Sequence, residues 1–186
     1  MVTAILEREI KLRFDDAAEA RAAALKTGAA PLRARRLQED YVLDTPDGTL
    51  RQRRSVLRVR METGRAILTF KGPVHPAPMK LRDELETMVS DGPLLVRLLG
   101  ELGFQVGFRY EKYREEFILN DVIVAVDETP VGTFIEIEGS AEGIRATATA
   151  LGRSSGDYLL DSYRTLFVQH CERRGLPVTN MLFGHE

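Results

Sequence analysis

The stretch Glu7-Arg8-Glu9-Ile10-Lys11-Leu12-Arg13-Phe14 decides how the rest of the chain is read. With the period of two that a β-strand imposes, Glu7, Glu9, Lys11 and Arg13 share one face, and Ile10, Leu12 and Phe14 share the other with Arg8. A lone strand with one ionic face ordinarily belongs to a solvated sheet surface, because antiparallel sheets commonly wet one side. The pattern gains a different meaning only where other segments repeat it.

They do repeat it. Residues 56–62 and 65–71 read as a hairpin through Thr63-Gly64, with Arg58, Arg60 and Glu62 opposite Leu57, Val59 and Met61, and with Ile67, Thr69 and Lys71 alternating against Leu68 and Phe70. Residues 80–89 place Lys80, Arg82, Glu84 and Glu86 on one face, and residues 107–119 do the same with Lys112, Arg114 and Glu116. Asn120-Asp121 is a two-residue turn into a strand over 122–127 that carries Asp127, and residues 132–138 align Phe134, Glu136 and Glu138. A shorter strand over 38–43 ends in the turn formers Asp44-Thr45-Pro46-Asp47-Gly48. With the opening stretch, eight strands are expected.

Helices are expected between and after them. Asp16 and Glu19 make a capping-box-like start to an alanine-rich helix over 16–26, with Gly28 as its stop. Asp91-Gly92-Pro93 opens a second, whose stripe is Leu94, Leu95, Leu98, Leu99 and Leu102. Ser140 caps a weaker helix to about 151, and Leu159, Tyr163, Leu166, Phe167 and His170 lie at helical spacing over 157–174. Pro73, Pro76 and Pro78 leave the intervening segment as a loop, since proline fixes φ and removes a donor.

Taken one face per strand, the ionic residues are Glu7, Glu9, Lys11, Arg58, Arg60, Lys71, Arg82, Glu84, Glu86, Lys112, Arg114, Asp127, Glu136 and Glu138, seven acids and seven bases. The helices carry apolar stripes that need somewhere to pack. Both demands are met by an α+β fold in which eight antiparallel strands close into a barrel with a polar interior and helices cover its apolar outside. Closure also removes the exposed edges that so many strands would present.

Composition agrees with a single domain over 1–186, with barrel strands over about 3–138, helices over about 140–175 and a tail over 176–186. Hydrophobic residues at 44% and charged ones at 29% exclude a disordered chain. A net charge of −2 offers no basic stripe, so no nucleic-acid partner is expected. The single Cys171 excludes an internal disulfide and reads as a packing residue. Met1 to Leu6 is too short for a signal peptide, and no stretch reaches the roughly 20 apolar residues of a membrane helix, so the expected location is cytoplasmic, without a membrane partner. His75, His170 and His185 are scattered and receive no role.

A lumen lined by charges of both signs is costly unless the charges meet each other or a guest. Polyphosphate suits it, because its oxygens take arginine and lysine while its accompanying Mg²⁺ or Mn²⁺ takes carboxylates. Glu-x-Glu occurs at Glu7/Glu9, Glu84/Glu86 and Glu136/Glu138, and on a strand that spacing sets two carboxylates on one side roughly 6 to 7 Å apart.

These residues resemble the CYTH superfamily, the triphosphate tunnel metalloenzymes, whose members include class IV adenylate cyclases, thiamine triphosphatases and inorganic tripolyphosphatases. The likeness begins with Glu7-x-Glu9-x-Lys11. It continues in order through Tyr41 with Asp44-Thr45-Pro46, Leu57-Arg58-Val59-Arg60, Leu68-Thr69-Phe70-Lys71-Gly72-Pro73, Arg82-x-Glu84-x-Glu86 and Lys112-Tyr113-Arg114. Asp127, Gly132-x-Phe134-x-Glu136-x-Glu138 and Ser162-Tyr163 complete it. The resemblance implies a triphosphate substrate and a divalent cation, Mg²⁺ or Mn²⁺. It implies Glu7, Glu9, Glu136, Glu138 and Asp127 as metal ligands, and Lys11, Arg58, Arg60, Lys71, Arg82, Lys112 and Arg114 as phosphate-binding groups, with Lys11 and Lys71 also acting in catalysis. Glu84 and Glu86 are then supporting acids, paired with Arg82 and its neighbours. Arg13, Lys80, Glu62 and Glu116 are expected at solvated or strand-end positions. Hydrolysis of a triphosphate is the leading expectation; the alternatives are adenylate cyclisation and non-catalytic polyphosphate binding. A homodimer is consistent with the resemblance.

Overall fold

The computed structural model describes residues 5–184, so His185 lies outside the described residues. Eight strands follow the alternating segments: β1 (Ile5–Phe14), β2 (Ala30–Asp44), β3 (Val56–Glu62), β4 (Arg65–Lys71), β5 (Lys80–Val89), β6 (Gln105–Leu119), β7 (Val122–Thr129) and β8 (Gly132–Glu138). Every pairing is antiparallel, and the strands close into a barrel in the order β1-β5-β4-β3-β2-β6-β7-β8. The helices are α1 (Ala17–Lys26), α2 (Thr49–Gln52), α3 (Gly92–Glu101), α4 (Ala141–Ala150) and α5 (Tyr163–Arg174). Side chains cap four of them: Asp16 accepts from the Glu19 N–H, Asp91 from Leu94, Ser140 from Gly143 and Ser162 from Thr165.

The apolar core lies outside the barrel. Ile10, Leu12 and Phe14 from β1, Phe117 from β6, Val122, Val124 and Val126 from β7, and Ile135 and Ile137 from β8 pack with Ala20 and Ala24 of α1 and Ile144 and Ala148 of α4. Alanines on α1 let that helix sit close to the sheet. Strands buried on both faces result, one against helices and one against the ionic lumen. No helix of the described residues is long and apolar enough to cross a membrane.

Three elements differ from the sequence reading. β2 starts at Ala30 rather than near 38, because residues 30–36 are held by pairing with β6, not by burial; they carry no apolar alternation to announce a strand, and the register shifts twice between Pro31 and Arg36. The turn after β2 contains the short helix α2, gathered by Asp44, whose carboxylate accepts from the N–H groups of Thr45, Leu50 and Arg51 at 2.8 to 3.0 Å. The last helix starts at Tyr163, not 157. A single 3-10 turn covers Ser155–Asp157, and Leu159 then runs extended beside β1, exchanging backbone hydrogen bonds with Lys11 at 3.0 and 2.9 Å.

α1, α3 and α4 lie against strand faces, whereas α5 covers one end of the barrel. Its Tyr163, Leu166, Phe167 and Cys171 pack with Phe108, Tyr110 and Phe134, which lie on the lumen-facing side of β6 and β8. The tail adds Met181 to this plug through backbone bonds to Arg109 and Glu111.

Gly139 ends β8 at φ +150°, where a Cβ would stand 2.7 Å from the Asp121 carbonyl oxygen and 2.8 Å from Val122 Cγ1. Gly139→Ala is expected to cost about 1 to 3 kcal/mol of stability, read as a lower urea midpoint with unchanged slope. An unchanged midpoint contradicts the close approach.

Candidate active site in the barrel lumen

The closed strand order turns the alternating charges into two facing walls. β8, β1 and β5 are contiguous in the barrel and carry Glu136, Glu138, Glu7, Glu9, Glu84 and Glu86; β3, β2 and β6 lie across the lumen and carry Arg58, Arg60, Lys112 and Arg114. Between the walls runs a cavity of about 820 Å³ lined by these residues together with Lys11, Lys71, Lys80 and Arg82.

On the acidic wall, lysines lie among the carboxylates. Lys11 Nζ is 3.0 Å from Glu9 Oε1 and 3.2 Å from Glu136 Oε2. Lys80 also donates to Glu9, and Lys71 donates to Glu7 while standing 3.5 Å from Glu84. Among the described residues no three Asp, Glu, His or Cys side chains converge as a metal-holding group. The carboxylates are nonetheless in excess. Glu7 Oε2 is buried without a partner. Burial, reinforced by Glu7 and Glu136, raises the Glu138 carboxyl to about 7, and burial with Glu9 nearby raises Glu7. Burial acts the same way on Glu9 and Glu136. There, however, it is outweighed by Lys11 together with Lys80 at Glu9 and Arg114 at Glu136, so both stay ionised below the ordinary carboxylate range.

The basic wall is organised by two aspartates. Asp40 Oδ1 lies 2.9 Å from Arg60 Nε and 3.4 Å from Arg58 Nε, and Arg58 also donates to Thr69 Oγ1 at 3.2 Å. Asp127, fully buried, accepts from Arg114 at 2.7 and 2.5 Å, from Lys112 at 2.9 Å and from the Tyr163 hydroxyl at 2.6 Å. Arg114 continues to Glu136 Oε1 at 2.7 Å and so ties the walls together. Burial and the adjacent Arg114 charge lower the Lys112 ammonium to about 8 despite Asp127 beside it.

Several expectations need correcting against this geometry. Asp127, expected among the metal ligands, has its oxygens engaged by four donors, from Arg114, Lys112 and Tyr163, and so holds Lys112 and Arg114 in place. Arg82 is not paired with Glu84 or Glu86: its guanidinium donates to the backbone carbonyls of Gly72 at 2.8 Å and Arg54 at 2.6 Å. Glu84 instead neighbours Lys71, and Glu86 accepts from Thr69 at 3.3 Å. Lys80 and Glu62 stand at strand ends as expected, first in β5 and last in β3, and both line the cavity; Glu116 lines it too, but as a buried residue within β6. Arg13 is exposed as expected, stacked over the Phe134 ring.

Sequence reading missed three lumen residues on β2. Arg36 joins Glu62 at 3.2 Å to Glu116 at 2.9 Å, Gln38 donates to Glu62, and Asp40 holds the β3 arginines. The signal was present as the period-two run Arg36, Gln38, Asp40. A strand limited to 38–43 concealed it.

Glu138 has its carboxyl pKa raised above its unfolded value, so it favours the folded state below about pH 4.5, and that contribution is lost as pH rises through about 7. In metal-free protein, urea midpoints are expected to fall across this window, and Glu138→Gln is expected to flatten the decline. An equal decline in the variant shows that Glu138 is not the group responsible.

A Methanocaldococcus jannaschii protein, provisionally named an adenylate cyclase, is 29% identical to this chain over 141 residues, which is 75% of this chain and 80% of that protein. A Vibrio parahaemolyticus structure described in the same provisional terms superposes with a TM-score of 0.78 at 20% identity, covering 89% of this chain and 99% of its own. A Hippeastrum structure, provisionally an adenylyl cyclase and described as having a dominant triphosphatase activity, reaches 0.62 at 19% identity over 92% and 97%. The family model described as the CYTH domain matches residues 6–163, from the first lumen-facing strand to the tyrosine that reaches Asp127, and the chain therefore belongs to the CYTH-domain family.

Proposed function

We propose that this protein is a divalent-metal-dependent triphosphatase that holds its substrate along the lumen between the two walls. The observation that carries this reading is the facing of a carboxylate-rich wall, with Glu7 Oε2 unpartnered, by a wall of pre-aimed bases inside one cavity. The surplus of carboxylates fits a hard cation such as Mg²⁺ or Mn²⁺, held by Glu7, Glu9, Glu136 and Glu138, with Lys11, Lys71 and Lys80 released toward the substrate. When bound, the cation supplies Lewis-acid polarisation of phosphoryl oxygens.

The chain's own residues supply the rest. Arg58, Arg60, Arg82, Lys112 and Arg114 bind the phosphate oxygens. Their guanidiniums and ammoniums are oriented beforehand by Asp40, Asp127 and backbone carbonyls, so little reorganisation is needed as charge shifts to the leaving group. Lys11, within the acidic wall, and Lys71, on β4 at its border, neutralise charge on the transferring phosphoryl. Glu84 and Glu86 support Lys71 and Thr69. The Hippeastrum relative's described activity is in keeping with hydrolysis on this fold. A second reading, cyclisation of ATP with loss of pyrophosphate, is favoured by the name of the Methanocaldococcus jannaschii relative. It differs in the nucleophile, a ribose 3′-hydroxyl in place of water, and in the phosphorus attacked, the α-phosphorus in place of the terminal one.

Incubation with inorganic triphosphate, thiamine triphosphate and ATP, each with Mg²⁺ or Mn²⁺, separates the two. Orthophosphate is the expected product, cyclic AMP with pyrophosphate marks the cyclase, and no turnover of any of them overturns both. Glu9→Gln is expected to lower metal-dependent turnover by about 100-fold or more with the fold retained by circular dichroism. Arg60→Ala is expected to raise KM by about 10-fold or more, since a hydrogen bond to a charged group contributes about 1.5 to 3 kcal/mol. Unchanged triphosphate affinity in that variant contradicts a phosphate contact.

A further inference from the structure

Tyr163 is the first residue of α5, yet its side chain belongs to the lumen: it is 6% exposed and lines the cavity. Its hydroxyl donates to Asp127 Oδ2 at 2.6 Å, and the Lys11 and Lys112 ammoniums stand 5.2 and 4.9 Å from the centre of its ring. One side chain therefore meets a base of the acidic wall, a base of the facing wall and the carboxylate that holds two bases in place.

The segment before α5 carries it there. Leu159 exchanges backbone bonds with Lys11 at 3.0 and 2.9 Å, so the chain is stitched to β1 at a residue that supplies a lumen base. Ser162 then caps α5 by accepting from the Thr165 N–H, and the Tyr163 ring packs edge-on to Phe134 at 5.6 Å and tilted to Tyr110 at 6.2 Å. Burial and the Asp127 charge raise the hydroxyl well above the ordinary tyrosine range, so it stays a donor at neutral pH.

Packing alone would be served as well by phenylalanine, and the hydroxyl adds no charge to a carboxylate that Arg114 and Lys112 already balance. What it adds is direction. The terminal torsion of an aspartate is broad and two-fold, so two cations leave the carboxylate plane free to turn. Oδ2 accepts from Arg114 Nη2 at 2.5 Å and from Lys112 Nζ at 2.9 Å, and the Tyr163 hydroxyl is a third donor anchored on a different element. Lys112 spends one of its three donors on Asp127, and Arg114 spends Nε and Nη2 on Asp127 and Glu136. Both residues line the cavity, and the two remaining ammonium protons and Nη1 are left for a guest.

We propose that Tyr163 is a positioning residue for the phosphate-binding bases, acting on Lys112 and Arg114 through Asp127 and on Lys11 through its ring. Residues 159–163 are then part of the anion site, although the rest of α5 only covers the barrel end. The attraction of the ring for both ammoniums offsets part of their mutual repulsion while the lumen is empty of phosphate. This inference rests on the reading of the lumen as a triphosphate site.

The test uses Tyr163→Phe, which keeps the ring and removes only the hydroxyl, with inorganic triphosphate as substrate and non-hydrolysable imidotriphosphate as the binding probe. KM is expected to rise about 10-fold and imidotriphosphate affinity to fall equally, the size of one hydrogen bond to a charged group, with kcat within about threefold of the parent protein. A packing role predicts the reverse split, a lower thermal midpoint and a lower kcat at unchanged KM and unchanged imidotriphosphate affinity, and that result overturns the proposal. In an Asp127→Asn background, Tyr163→Phe is expected to change affinity by no more than about twofold; a further 10-fold loss shows that the two residues act separately and also overturns it. Leu159→Pro removes one of the two backbone bonds to Lys11 and gives an independent check. Its KM is expected to rise several-fold with kcat retained, and an unchanged KM counts against the proposal even where Tyr163→Phe does not fold. Failure of the parent protein to bind imidotriphosphate removes the triphosphate reading of the lumen itself; equal binding by parent and Tyr163→Phe removes only the role of Tyr163.

Discussion

Everything in this structure depends on keeping a set of opposite charges dry and close together. A carboxylate or ammonium taken out of water loses several kcal/mol of hydration, and only a partner at hydrogen-bonding distance or a bound ion restores it. A closed barrel makes that restoration possible, since closure puts β8, β1 and β5 across the lumen from β3, β2 and β6. On an open sheet the same faces would have met solvent, and the alternation would have meant nothing.

The constraint inverts the usual arrangement of a small domain. With the inside committed to charge, the hydrophobic core moves to the outer face of β1, β7 and β8, where the alanines of α1 and the Ile144 and Ala148 side of α4 cover it. The one apolar cluster that does enter the barrel closes its end: Phe108, Tyr110 and Phe134 meet α5 there, and Tyr163 extends from that plug to Asp127. Stability and site chemistry thus meet in one residue, whose ring also lies under Lys11 and Lys112 at 5.2 and 4.9 Å.

The two walls are not equivalent in their internal balance. On the basic side Asp40 and Asp127 hold the arginines aimed, with Asp40 Oδ2 and Arg58 Nε left without a hydrogen bond, and this is preorganisation of the kind that stabilises a charged transition state without rearrangement. On the acidic side the balance is incomplete, with an unpartnered Glu7 oxygen and a Glu138 carboxyl that holds its proton to about pH 7. A wall of aimed bases thus faces a wall whose carboxylates outnumber the lysines among them.

Which side chains lie inward was legible in the sequence, because alternation has a period of two and the ionic face recurred from Glu7 through Glu138. The barrel followed from that recurrence together with the apolar helices. The roles of individual acids were not legible. Period and spacing cannot tell an Asp127 saturated by Arg114, Lys112 and Tyr163 from a Glu7 with a free oxygen, since that difference arises between strands far apart in the chain. Arg36 was overlooked for a related reason, since residues 30–36 are strand only because β6 pairs with them, and without it Gln38 and Asp40 made too short a run to stand out. The sequence by itself determined the inward and outward faces, since these are local consequences of backbone geometry. Tertiary structure alone decided which charges are satisfied and which still lack a partner, because pairing across a lumen depends on strand order and register.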